Sequence, residues 1–200
     1  MWRAHRLDQR NNWIFDMDGT LTTSAHDFEF IRKELGLESK APILESLNAM
    51  PTQEAAPLWE TLNELECHFA GKSTLMPGVP DLLEKLQTRG AKLGLLTRNT
   101  MPVVETTLDA CGIGHFFPTQ HRLDRDSCTP KPSPDGINHL LNDWQVDPCE
   151  AVMVGDYVFD LQAGKSANVI TIHLDPTGDF AWPEVSDICI RNFSEIDHYL

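Results

Sequence analysis

Trp13-Ile14-Phe15-Asp16-Met17-Asp18-Gly19-Thr20 joins a short apolar run to two aspartates and a glycine. An unbroken apolar run of this length suits a strand buried on both faces of a parallel sheet, and this one stops at Asp16. Side chains alternate along an extended chain, so Asp16 and Asp18 project to one side while Met17 points away. Gly19 lets the backbone turn sharply there. Two close carboxylates repel unless a cation or a proton separates them. The arrangement suits metal binding with a division of labour, one group as nucleophile and its neighbour as proton donor. A bare aspartate pair at this spacing is more often a polar turn with one Asp as helix cap. The preceding strand and the following Gly19-Thr20 weigh against that here.

The same punctuation recurs downstream. Ala91 to Leu96 stops at Thr97, and Ala151 to Val154 stops at Gly155-Asp156; Val169 to Ile172 and Ile188 to Ile190 are further strand candidates. Helical patterns lie between them. Leu82, Leu83 and Leu86 share one side of a segment from Pro80 to Arg89 that Gly90 ends. Pro102 to Cys111 ends at Gly112, and Ser133 to Trp144 carries Ile137, Leu140, Leu141 and Trp144 at helical spacing. This alternation predicts a doubly wound α/β fold around a mainly parallel, Rossmann-like sheet. Ligands of such folds sit beyond the carboxyl ends of the strands. Asp16, Thr97 and Asp156 each follow a strand, so they are expected to converge.

From Thr23 to Met76 the alternation breaks. Phe28, Ile31 and Leu35 line up on one helix and Leu58, Leu62, Leu65 and Phe69 on another, with Pro42, Pro51 and Pro57 marking bends or helix starts. The expectation is a small α-helical insert after the first strand, residues 23–76, on a core of residues 1–22 and 77–200.

Two further segments carry chemistry. Thr129-Pro130-Lys131-Pro132-Ser133-Pro134 holds one ammonium group between prolines that restrict its backbone. A fixed Lys offsets the repulsion between a phosphate dianion and an anionic nucleophile. Asp156 and Asp160 share one face at a helix start, where capping and Mg2+ ligation are both open readings. After its strand, Thr97-Arg98-Asn99 offers a hydroxyl and loop N–H groups suited to phosphate oxygens. Arg98 is a candidate grip on a second anionic group of a substrate, although loop arginines are more often solvated.

Composition excludes several classes. The net charge of −14, with no clustered Lys/Arg stripe, argues against nucleic acid and against anionic membrane surfaces. An anionic substrate would have to find its positive charge within the site. Five scattered cysteines without CxxC spacing predict free thiols in a reducing compartment, hence a cytoplasmic protein. Met1 to Arg6 is basic but lacks a following apolar segment, and no apolar run is long enough for a bilayer. Eight histidines without HxH or HxxxH spacing speak against zinc.

Taken in order, Asp16 to Thr20, Thr97, Lys131-Pro132 and Asp156 to Asp160 resemble the motif segments of the haloacid dehalogenase superfamily. Met76-Pro77-Gly78-Val79-Pro80 and Lys131-Pro132-Ser133-Pro134 narrow the resemblance to its phosphoglycolate phosphatase-like members with a small helical cap. It covers roughly residues 13–172. The resemblance implies a Mg2+-dependent phosphatase that hydrolyses a small phosphomonoester, phosphoglycolate-like or a sugar phosphate, through an aspartyl phosphate. Asp16 would attack phosphorus, and Asp18 would protonate the leaving alcohol and then activate water. Thr97 and Lys131 would hold the transferring group, with Arg98 and Asn99 beside it. The metal set would be Asp16, Asp18 through its backbone carbonyl, and Asp156, with Asp160 binding through water or orienting Lys131. Residues 23–76 would be the cap.

Thr22-Thr23-Ser24 departs from relatives that have an acidic residue before the serine, and the insert is short for the subfamily. Three other readings remain open. A phosphosugar mutase would need a well-closing cap to keep water from the intermediate. A dehalogenase would leave Asp18, Asp156 and Asp160 unexplained. A non-catalytic binding protein of the same fold is expected to have lost one of the carboxylates or the Lys.

Overall fold

The structure is a computed structural model that describes residues 7–23, 27–38 and 40–200. Met1 to Arg6 and Ser24, on which two of the readings above rest, lie outside the described residues.

Six strands form one parallel sheet: β1 (Asn12–Phe15), β4 (Lys92–Leu96), β5 (Arg122–Leu123), β6 (Ala151–Gly155), β7 (Ile170–Leu174) and β8 (Ile188–Ile190). Their spatial order is β5-β4-β1-β6-β7-β8. The chain therefore winds outward from β1 in one direction, then returns to its other side. That reversal opens a crevice at the carboxyl ends of β1 and β6, where doubly wound sheets bind ligands. The expected α/β fold is the one observed.

Period-two alternation explains why every residue of β1 is buried. Trp13 and Phe15 enter one apolar layer and Ile14 enters the other. The first layer is completed by α4 (Val79–Thr88) and α5 (Met101–Cys111), through Leu82, Leu83, Leu86, Val103, Val104 and Leu108. The second is completed by α6 (Asp135–Trp144) and α7 (Val158–Ser166), through Ile137, Leu140, Leu141 and Ala163. Each helix begins or ends within two residues of its sequence expectation, and Gly112 closes α5 in the left-handed conformation.

Between the strands β2 (Thr22–Thr23) and β3 (Thr74–Leu75) the chain forms α1 (Phe28–Glu34), α2 (Ile43–Asn48) and α3 (Thr52–Ala70). These helices carry an apolar cluster of their own, with Ile31, Leu35, Leu47 and Leu62 buried. β2 and β3 pair antiparallel, a two-residue ribbon that periodicity cannot reveal. β5 escapes the sequence reading for the same reason. One assignment is corrected: Phe28, expected on the apolar face of its helix, is 43% exposed. The helix turns Ile31 inward instead. Among the described residues no helix is long and apolar enough to cross a membrane.

Candidate active site

The first carboxylate is positioned by the sheet. The Asp16 N–H donates to the Val154 carbonyl at 2.9 Å, so the β1–β6 ladder continues one residue past the strand. The chain then turns tightly, the Thr22 N–H donating to the Met17 carbonyl at 2.9 Å and the Gly19 N–H to the Thr22 carbonyl at 2.8 Å. Gly19 has φ +79°, and a Cβ there would strike the Asp156 carboxylate. Thr20 holds that carboxylate from the other side, its hydroxyl donating to Asp156 Oδ1 at 3.0 Å. Gly19→Ala is therefore expected to destabilise the protein by roughly 1–3 kcal/mol. Thermal unfolding checks this, and a variant as stable as wild type would show that the turn does not need glycine.

Lys131 is 3% exposed, far from the solvated lysine that a surface loop suggests. Its peptide bond to Pro132 is cis. The ammonium pairs with Asp16 Oδ1 and lies 2.5 Å from Asp160 Oδ1. Asp160 serves two purposes, since its Oδ2 accepts the Tyr157 N–H at 3.1 Å and so caps α7. Carboxylate oxygens of Asp16, Asp156 and Asp160 lie within 4.8 Å of one another. Asp18 points its carboxylate elsewhere, Oδ2 accepting from Asn99 Nδ2 at 2.5 Å. Thr97 is buried at the end of β4, its hydroxyl accepting the Asn99 N–H at 3.2 Å. Arg98 follows in the same loop, but its guanidinium pairs with Glu45 of α2 and lies over the Phe159 ring, 4.9 Å from the centroid.

Electrostatics follow from this crowding. Burial pushes the Asp16 carboxyl well above its usual value; Lys131 pulls it back, while Asp160 and Asp156 raise it further. Burial and Asp160 raise Asp156 to about 7, against the Thr20 hydrogen bond. Lys131 is desolvated too, yet Asp16 and Asp160 outweigh that and raise its value. One ammonium does not compensate three crowded carboxylates. A hard divalent cation with oxygen preference fits the surplus negative charge, and Asp16 and Asp156, with Asp160 behind them, are the groups able to hold it.

A cavity of about 490 Å³ opens above these groups, roofed by the inserted helices. Glu45, Glu66 and Tyr157 line it, and none of them stands out in the sequence. Glu66 of α3 pairs at 2.5 Å with Arg125, from the loop after β5. These contacts join positions 53 and 59 residues apart, a separation that local pattern does not encode.

A family model for haloacid dehalogenase-like hydrolases matches residues 13–174. The chain belongs to that family. This hydrolase is 31% identical to the pyrophosphatase PpaX of Bacillus velezensis, over 79% of its own length and 80% of that protein. It is 29% identical to a phosphoglycolate phosphatase of Psychrobacter arcticus, over 80% and 81% of the two chains. A crystallised hydrolase from Pseudomonas syringae superimposes with a TM-score of 0.77 at 19% identity, covering 95% of this chain and 97% of that one. The fold is shared with that structure, and the family makes the chain a hydrolase whose relatives include phosphatases.

Proposed function

We propose that this hydrolase is a Mg2+-dependent phosphatase acting on a small phosphomonoester through an aspartyl phosphate. The observation that carries the reading is the buried contact of Lys131 with Asp16 and Asp160, beside Asp156 and beneath the cavity. A nucleophile, a fixed cation and a hard-metal ligand set within one crevice suit phosphoryl transfer, where catalysis is mostly positioning and charge stabilisation.

Asp16 attacks phosphorus, forming an O–P bond as the ester O–P bond breaks. Asp18, held by Asn99, gives its proton to the departing alcohol oxygen. Asp18 then takes a proton from water as that water attacks the aspartyl phosphate, releasing phosphate and restoring Asp16. Thr97 and Lys131 hold the equatorial oxygens, and Arg98 and Asn99 border the substrate. Bound by Asp16, Asp156 and the Asp18 backbone carbonyl, with Asp160 behind, Mg2+ would neutralise charge on the transferring group. Residues 23–76 act as a cap, and the free cysteines fit a reducing, cytoplasmic setting. Phosphoglycolate-like acids and neutral sugar phosphates are the leaving-group classes to compare.

Inorganic phosphate released from a phosphoester panel tests the reading. Turnover should require Mg2+ and vanish in EDTA. Full activity in EDTA, or no release from any ester, would reject it.

A further inference from the structure

We infer that the substrate's leaving group is uncharged and presents a flat apolar face, as in a benzyl, aryl or nucleobase-bearing alcohol, and that Glu45 rejects leaving groups carrying a second negative charge. The inference rests on the phosphatase reading and deepens it.

The first argument concerns charge. A substrate such as a phosphorylated acid or a bisphosphate needs a second cation for its distal anion. The cations along this cavity are committed. Lys131 serves Asp16 and Asp160. Arg98 is matched by Glu45. Arg32 donates to the Ala41 carbonyl at 2.9 Å and to Glu29 at 3.2 Å. Lys40 stands on the exposed rim, where water screens an ion pair. Meanwhile Glu45 and Glu66 both line the cavity, and the chain as a whole carries −14. A distal carboxylate or phosphate would meet like charge and would have to displace Glu45 to reach Arg98. Rejection by an unmatched charge is the usual way a site excludes near-isosteres.

The second argument concerns surface. Tyr157 is 50% exposed and Phe28 is 43% exposed, and both line this cavity. Tyr157 is braced by two rings, perpendicular to Phe159 at 5.1 Å and steeply inclined to Trp182 at 5.2 Å. A ring already braced loses little conformational freedom when a ligand covers it. Ile31, Ile43, Leu44 and Leu62 continue the apolar wall above the phosphate end. The cavity thus has a charged floor for the phosphoryl group and a roof where these apolar side chains stand beside Glu45, Glu66 and Arg32.

Three alkyl phosphates separate these terms: 2-phosphoglycolate, 2-hydroxyethyl phosphate of the same size without the carboxylate, and benzyl phosphate. With the full chain and Mg2+, kcat/KM is expected to rise about tenfold from the first to the second, and about tenfold again to the third. Glu45→Gln should erase most of the first step, and Tyr157→Ala most of the second. Phosphoglycolate turned over as well as 2-hydroxyethyl phosphate, or ratios that neither variant moves, would overturn this specificity and leave the phosphatase reading standing. Phosphate released from none of the three or from any wider panel would overturn both.

Discussion

Asp16→Asn is expected to abolish phosphate release, by at least roughly 10⁴-fold in kcat, while leaving the fold intact. The amide cannot attack phosphorus, and no neighbouring carboxylate can replace it. Asp156 and Asp160 are tied to Thr20 and to Lys131, and Asp18 is turned toward Asn99. The same substitution has a second consequence, on stability. Burial and two neighbouring carboxylates raise Asp16, so between the ordinary carboxyl value of 3.8 and its folded value the native state binds more protons than the unfolded chain. Stability of the metal-free protein therefore falls as pH rises through that window, and the cost is fully present above it. Asp156 adds the same slope between 3.8 and about 7. Removing one of these charges should make the metal-free variant at least as stable as wild type at neutral pH, with a shallower decline from acid. Denaturation midpoints from pH 4 to pH 8 in EDTA, alongside turnover with Mg2+, decide the matter. Retained turnover would end the aspartyl-phosphate mechanism, and a steeper decline would mean that Asp16 is stabilised as an anion.

How much of this was legible beforehand depends on the range of each interaction. Trp13 to Thr20 announces itself because a strand, its end and two carboxylates are adjacent in the chain. The parallel sheet is implied by the strand–helix alternation, and its helical cover by residues such as Leu82 and Leu86 or Leu140 and Trp144. The strands β2, β3 and β5 have two residues each, too few for a period to show. The pairing of Arg98 with Glu45 and of Arg125 with Glu66 is invisible for a different reason. Each is a contact between a core loop and an inserted helix, decided by how the helices settle over the sheet rather than by their own periodicity. Phe28 illustrates the limit. Its spacing to Ile31 reads as one apolar face, yet the helix buries Ile31 and leaves Phe28 facing the cavity. The candidate carboxylates Asp16 and Asp156 sit at or just past strand ends and are locally encoded, whereas the contacts of the roof with the core loops are not.

Lys131→Met should be the most damaging single change to the metal-free protein. The ammonium is buried with Asp16 and Asp160, and removing it leaves two desolvated carboxylates without their cation. Breaking a buried pair from one side costs about 3–5 kcal/mol, more than the pair itself is worth. The loss should appear throughout neutral pH. Lys131 is raised above the usual lysine value of 10.5, so its contribution is fully present below that and fades only as pH climbs through the raised value. On the proposed mechanism Mg2+ would supply positive charge to the same carboxylates, so it should restore much of the lost stability, and the Mg2+-dependent increase in Tm should be larger in the variant than in wild type. Under those conditions the folded variant can be assayed, and kcat should still fall roughly 10²–10³-fold, because a methionine cannot stabilise charge on the transferring phosphoryl group. Thermal unfolding in EDTA and in Mg2+, with turnover measured on the Mg2+-loaded protein, separates the two roles. A metal-free stability within about 0.5 kcal/mol of wild type would remove Lys131 from the electrostatic frame of the site. Undiminished kcat would remove it from catalysis.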